Sequence, residues 1–209
     1  MTFRSTWCGL AAAGILALAA ACAAPAPETS QATPEQSMPH PTTGLTAVAA
    51  IGGEGINGTV EFREIDARSA GGHDAQHATG QKAVEVRVTV TGLTPGAHGL
   101  HLHAIGVCEP PFTSAGGHFD PGPASNTDPD ANHPFHMGDL PNLVADASGR
   151  AEITAVTTRV TLSPGPLSVF DEDGTAVIIH ANPDQGVTGE PKSGLSGGPR
   201  AACGVIYKQ

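Results

Sequence analysis

The chain predicts an all-β domain, an antiparallel sandwich or barrel carrying two long loops, and three observations carry that reading. Short β-rich runs recur between turns made of Gly, Pro and Asp, such as DASG at 146–149 and DEDG at 171–174. Val84, Val86, Val88 and Val90 alternate with Glu85, Arg87 and Thr89, the period-2 pattern of a strand with one wet face. No segment sustains a helical period.

Taken in order, residues 1–22 pair an early Arg4 with an apolar stretch from Gly9 to Ala21, which fits a bacterial export signal and is too short for a spanning helix. The segment ends in ALAAAC, which resembles a lipobox whose Cys22 becomes the lipid-bearing first residue; a plain signal peptide cut nearby is the alternative. Residues 23–44, rich in Pro, Ala, Thr and Ser, read as a flexible tether in which His40 takes no part. Residues 45–209 form the domain, with strands expected at 45–51, 58–65, 83–93, 98–106, 151–162, 175–181 and 201–207. An insert at 67–81 carries His73 and His77 on what reads as an exposed hairpin tip, or a weak adventitious metal site. Segments 106–141 and 181–200 are long, dense in Gly and Pro, and each follows a histidine-bearing strand; loops of that length usually have a function or are pinned.

The formal charge of −10, with no basic run, argues against electrostatic binding to nucleic acid or to an anionic membrane, leaving the lipid anchor as the membrane contact. An acidic protein acting on an anion therefore needs local positive charge at its site. Cys108 and Cys203 are the only thiols of the domain, and in an oxidising compartment they are most simply a disulfide rather than two buried free thiols.

The sharpest local signal is GLHLHAIGVC at 99–108. In a strand, His101 and His103 share one face while Leu102 points to the other, so the two imidazoles can chelate one ion or stand as singly hydrogen-bonded side chains. The neighbouring GGHFDP (His118), HPFHMGDLP (His133, His136, Asp139) and VIIHANPD (His180, Asp184) favour the metal. Neutral imidazoles suit copper or zinc, and a His-x-x-Asp pair adds an oxygen that zinc accepts. No Ser/His/Asp order, phosphate loop or glutamate pair competes.

Together GLHLHAIGVC, AGGHFDP, HMGDLPNL, AVIIHANPD and GGPRAACGVI, in this order between Leu45 and Tyr207, resemble the copper/zinc superoxide dismutases of bacteria. The resemblance implies a Greek-key β-barrel in which 106–141 and 181–200 are the metal-holding and electrostatic loops. It implies copper on His101, His103, His118 and His180, and zinc on His118, His136 and Asp139, with the His118 ring bridging the metals. Asp184 would tie a copper histidine to a zinc histidine, Cys108 would pair with Cys203, and Arg200 would sit over copper. His98 is expected to be structural, Phe119, Leu140 and Leu143 to pack, and Asp171, Glu172 and Asp173 to form a solvated turn.

The chain departs from the family at one point. Relatives with a loop of this length place a zinc histidine nine residues after the bridging one, where this chain has Thr127. His133, the spare histidine of the loop, is the favoured replacement; Asp128, Asp130, a water or an empty site are the others.

The activity implied is dismutation of superoxide to oxygen and hydrogen peroxide by copper cycling between oxidation states, with the His118 ring releasing reduced copper and taking a proton. Arg200 would hold the anion, and Lys192 either adds local positive potential or is a plain surface charge. The rival is a non-catalytic copper-binding or copper-delivery lipoprotein. The expected location is the periplasm or cell envelope, and the sequence favours neither monomer nor dimer.

Overall fold

In a computed structural model of the protein, residues 44–67, 81–121 and 126–209 are described. The export segment with Cys22, the tether up to residue 43, and His73 and His77 lie outside the described residues. Nine strands follow in chain order: β1 (Thr46–Gly53), β2 (Asn57–Asp66), β3 (Lys82–Thr91), β4 (Gly96–His98), β5 (Leu100–His103), β6 (Leu143–Ala145), β7 (Ala151–Thr157), β8 (Ala176–His180) and β9 (Arg200–Lys208). A single turn of 3-10 helix, Thr113–Ala115, lies in the first long loop.

All neighbouring pairs are antiparallel, in the order β4-β6-β7-β3-β2-β1-β9-β8-β5. The first and last strands of that order are separated in the chain only by Gly99, so the sheet wraps into a nearly closed barrel. β3 pairs with β2 and β7 rather than with β4, the non-sequential order of a Greek key. The all-β expectation holds, because β-branched residues at period 2 give strands such as β3 one apolar face.

Val84, Val86, Val88 and Val90 are fully buried in the barrel, while Glu85 faces outward to meet Arg63 at 3.0 Å. Phe62, Leu100, Leu102, Phe119, Leu143, Val177, Ile179 and Ile206 belong to the same core, each burial contributing about 1.5–3 kcal/mol. Leu140 joins them, so Phe119, Leu140 and Leu143 pack as expected.

Two sequence runs are cut well short of their expected ends. The 98–106 run divides at Gly99, whose N–H donates to Asn182 O at 2.9 Å while its carbonyl accepts from His180 N at 2.8 Å. The chain there leaves the partner of β4 and takes up that of β5. The 151–162 run stops at Thr157, whose hydroxyl accepts from Arg159 N at 3.1 Å and turns the backbone.

Candidate metal centre

β5 and β8 are buried on both faces, and this places the site. Leu100, Leu102, Val177 and Ile179 face the barrel core, and the alternate residues face outward beneath the first long loop. Ala176 and Ile178 pack there with Ala115 and Cys203 in a small apolar cluster against Cys108 and Phe112. Cys108 and Cys203 are joined as a disulfide, with Cα atoms 5.7 Å apart, fastening the start of that loop to β9.

The loop runs along β5 as an irregular extra strand. Phe119 N donates to Leu102 O at 2.8 Å, Leu102 N to Gly138 O at 2.9 Å, and Ala104 N to Gly117 O at 2.9 Å. His118 thereby lies opposite His103, and Asp139 opposite His101. Gly138 makes this approach possible, because a Cβ there would stand 2.4 Å from Leu102 O.

His101, His103, His118 and His180 are all buried, and one nitrogen of each lies within 4.8 Å of one from every other. His103 Nδ1 donates to Gly116 O and His180 Nδ1 to Gly198 O, both at 3.0 Å, which leaves their Nε2 lone pairs free. His101 Nε2 donates to Asp184 at 3.1 Å. Among the described residues, His101 Nδ1 and the Nε2 atoms of His103, His118 and His180 are buried without a hydrogen-bond partner. A buried polar atom left alone costs about 1–3 kcal/mol, so four together fit a ligand set for a metal.

A second group, His118, His133 and Asp139 with His101, meets the same distance limit. Three Nδ1 atoms surround the Asp139 carboxylate: His118 at 2.8 Å, and His133 and His136 at 3.2 Å each. His133 Nδ1 is close enough to Asp139 for an ion pair but forms no hydrogen bond with it. Its Nε2 donates to Asp184 at 2.7 Å, so Asp184 links His101 to His133. His101 belongs with the first group, since Asp184 already takes its Nε2. Without His101 that group is His118, His133 and Asp139; His136, whose Nδ1 also reaches Asp139, adds a third imidazole, and three imidazoles with a carboxylate are a donor set that zinc accepts.

Thr127 pairs its backbone with His118, its carbonyl accepting from His118 N at 2.9 Å, and the residue is exposed. Asp128 accepts from the amides of Asp130 and Ala131, and Asp130 from those of Gly194 and Ser196. Both carboxylates are engaged with backbone rather than with the imidazoles.

Burial lowers the basicity of three imidazoles: His118 to about 4 and His180 to about 3, with neighbouring histidines adding to the effect, and His103 well below its ordinary value. These rings are neutral at pH 7 and present lone pairs. At His133 burial also opposes the charge, but the adjacent carboxylates of Asp139 and Asp184 outweigh it and raise the group to about 9. Both carboxylates are held below their usual range despite burial, because histidines donate to them.

Arg200, half-buried at the start of β9, donates to the carbonyls of Phe112 and Gly116; Gly116 O also accepts from His103. The guanidinium is thus fixed one carbonyl away from the first histidine group. Lys192 is exposed, with a left-handed backbone (φ 63°). His98 is structural: its ring nitrogens lie 2.8 Å from the carbonyls of His180 and Thr94. Asp171, Glu172 and Asp173 are exposed, as a solvated turn requires.

Two supports were not singled out in the sequence. Asn142 holds the Asp184 backbone at both N and O, at 2.9 and 2.8 Å, and Arg159 donates to Pro134 O and His136 O at 2.9 and 3.1 Å. Asn142 sits inside HMGDLPNL, but side chains that bond only to backbone carry no recognisable spacing.

Barrel, loops and converging imidazoles define a β-barrel metalloprotein with two adjoining nitrogen-rich centres. Residues 56–206 match the family described as copper/zinc superoxide dismutase (SODC), and the chain belongs to that family. It is 38% identical over 173 residues to a Cu-Zn superoxide dismutase of Mesembryanthemum crystallinum, covering 79% of this chain and 96% of that one. It is 39% identical over 150 residues to a Cu-Zn superoxide dismutase of Caulobacter vibrioides, covering 66% and 82%. An extracellular Cu-Zn superoxide dismutase of Onchocerca volvulus is 35% identical over 167 residues, covering 77% and 74%. Among solved structures, that of the clock protein EA4 superposes with a TM-score of 0.60 at 30% identity, over 82% of this chain and 100% of that chain.

Proposed function

We propose that the protein is an exported superoxide dismutase, with copper on His101, His103, His118 and His180 and zinc on His118, His133, His136 and Asp139. The observation that carries this is the convergence of four buried, unpartnered imidazole nitrogens beside a carboxylate ringed by three more. When bound, copper would supply one-electron redox chemistry and zinc would help to hold the His118 ring in place.

The chain's own groups perform the rest. Two superoxide anions and two protons become one oxygen and one hydrogen peroxide, so the site must hold an anion and deliver protons. Arg200, immobilised by two carbonyls, supplies the positive charge that an acidic protein otherwise lacks. His118 Nδ1 faces Asp139 while its unpartnered Nε2 is left for the first histidine group, so this ring reaches both centres. Its Nε2, when free of metal, would hold a proton and pass it to the product. Asp184 fixes the rings of His101 and His133 against rotation.

Export rests on the signal at 1–22, on lipid attachment at Cys22 and on the tether at 23–44, which would hang the domain at 45–209 from a membrane of the cell envelope. The Cys108–Cys203 disulfide accords with an oxidising compartment. Arg200 and the complete histidine set weigh against a delivery protein, which needs ligands but no anion-holding charge. The test is metal analysis of the purified protein beside a superoxide-decay assay, with Cys22→Ser to probe the anchor. Copper bound without decay above background would transfer the assignment to delivery.

A further inference from the structure

Between the two long loops lies a buried carboxylate that none of the chemistry above uses. Asp130 is 2% exposed. Its Oδ2 accepts from Gly194 N at 2.8 Å and its Oδ1 from Ser196 N at 2.9 Å, while its backbone carbonyl accepts from Gly189 N at 2.9 Å. Three residues on, the carbonyl of His133 accepts from the Thr188 hydroxyl. Asp128 caps the turn that presents this segment, accepting from the amides of Asp130 and Ala131 at 3.1 and 3.2 Å. Residues 130–133 are therefore seated on the second loop by four hydrogen bonds, two of them to one carboxylate and charge-assisted.

The far side of that contact leads to the first histidine group. Ser196 pairs with Asp184, which holds His101 and His133. Gly197 packs so closely on His180 that a Cβ there would lie 2.6 Å from the histidine's own Cβ. Gly198 O accepts from His180 Nδ1, and Arg200 follows two residues later.

We propose that Asp130 is a positioning residue: by gripping the amides of Gly194 and Ser196 it ties the seating of His133 to the orientation of His180 and Arg200. This rests on the metal assignments above, but the grip itself is a property of the chain and can be measured without metal. A short path of hydrogen bonds and one glycine contact connects the two ends, a contiguous network of the kind through which two sites bias each other. Asn at this position keeps one carbonyl acceptor and turns an amide donor toward the second N–H, so it should hold only one of the two.

The test uses the full chain as wild type, Asp130→Asn and Asp130→Ala. In metal-free protein, hydrogen exchange at Gly194 and Ser196 should quicken roughly tenfold or more in Asp130→Ala, while Val177, Ile178 and Ile179 in β8 keep their protection. Asp130→Asn should release one amide of the pair. In copper- and zinc-loaded protein, Asp130→Ala should keep its copper, shift the Cu(II) electron paramagnetic resonance spectrum, and lose zinc roughly ten times faster. Unchanged exchange at both amides, equal acceleration throughout β8, or an unaltered Cu(II) spectrum beside quickened exchange would each overturn the proposal. Wild type that binds no copper would overturn the metal assignments and leave the metal-free exchange result to judge the grip.

Discussion

The two histidine groups are built on different foundations. Three of the four side chains read as copper ligands stand on β5 and β8, where paired backbone and a filled barrel core fix both direction and depth. The zinc group, by contrast, comes wholly from the loop between β5 and β6, and its geometry depends on what the loop leans against: Asp184, Asn142, Arg159 and the Asp130 contact. A strand position tolerates no shift, because moving one residue turns the side chain to the opposite face. A loop can supply the same donor from another place in the sequence, and here His133, six residues after Thr127, brings its Nδ1 to 3.2 Å from Asp139.

The largest effect expected is at the strand-borne group. His103→Ala should lower superoxide decay to background and abolish copper binding, a greater loss than the roughly 10–100-fold that follows removal of an outer hydrogen-bond partner. Metal analysis with pulse-radiolysis kinetics reads both. Retained copper in this variant would mean that the strand-borne histidines do not fix the copper site.

His133→Ala sharpens the contrast. Zinc content after reconstitution should collapse while copper is largely retained, since the strand histidines keep their own hydrogen bonds. Full zinc occupancy in the variant would return the site to a carboxylate or a water.

Replacing Cys108 and Cys203 together by Ser frees the loop at its root. Closing a 95-residue separation corresponds to about 3–5 kcal/mol in a chain-entropy estimate, which denaturant unfolding of the metal-free protein should resolve. A loss well under 1 kcal/mol would show that the hydrogen bonds along β5 hold the loop by themselves.

The smallest change is expected from Arg200→Ala: both metals stay, and the rate falls about tenfold, or about 1.4 kcal/mol, with a weaker dependence on ionic strength. Kinetics across a salt series decide it. An unchanged slope would remove the guanidinium from anion capture.

This division also explains which parts of the molecule were legible in the sequence. The strands were legible because Val84 to Val90 and His101-Leu102-His103 write period 2 directly into the chain. Gly99 was not legible as a break, because a glycine in an apolar run does not disclose that the backbone changes partner there. His133 could be favoured only by elimination, as a loop histidine has no periodicity to give it direction. What singles it out in three dimensions is Asp184, 51 residues away. Asn142 and Arg159 went unread, and Asp130 was read only as an alternative zinc ligand, for the same reason: each bonds to backbone amides or carbonyls, and any residue supplies those.

The bonds from Phe119, Leu102 and Ala104 along β5 have a consequence outside catalysis. β5 ends the sheet, and a terminal strand with free amides and carbonyls is a template on which another chain can add itself. The metal loop occupies that template, so the segment that gathers the ligands is also the guard against self-association. A molecule whose loop has come away would lose its metals and bare an adhesive seam in one event, which makes metal retention a measure of solubility as much as of activity.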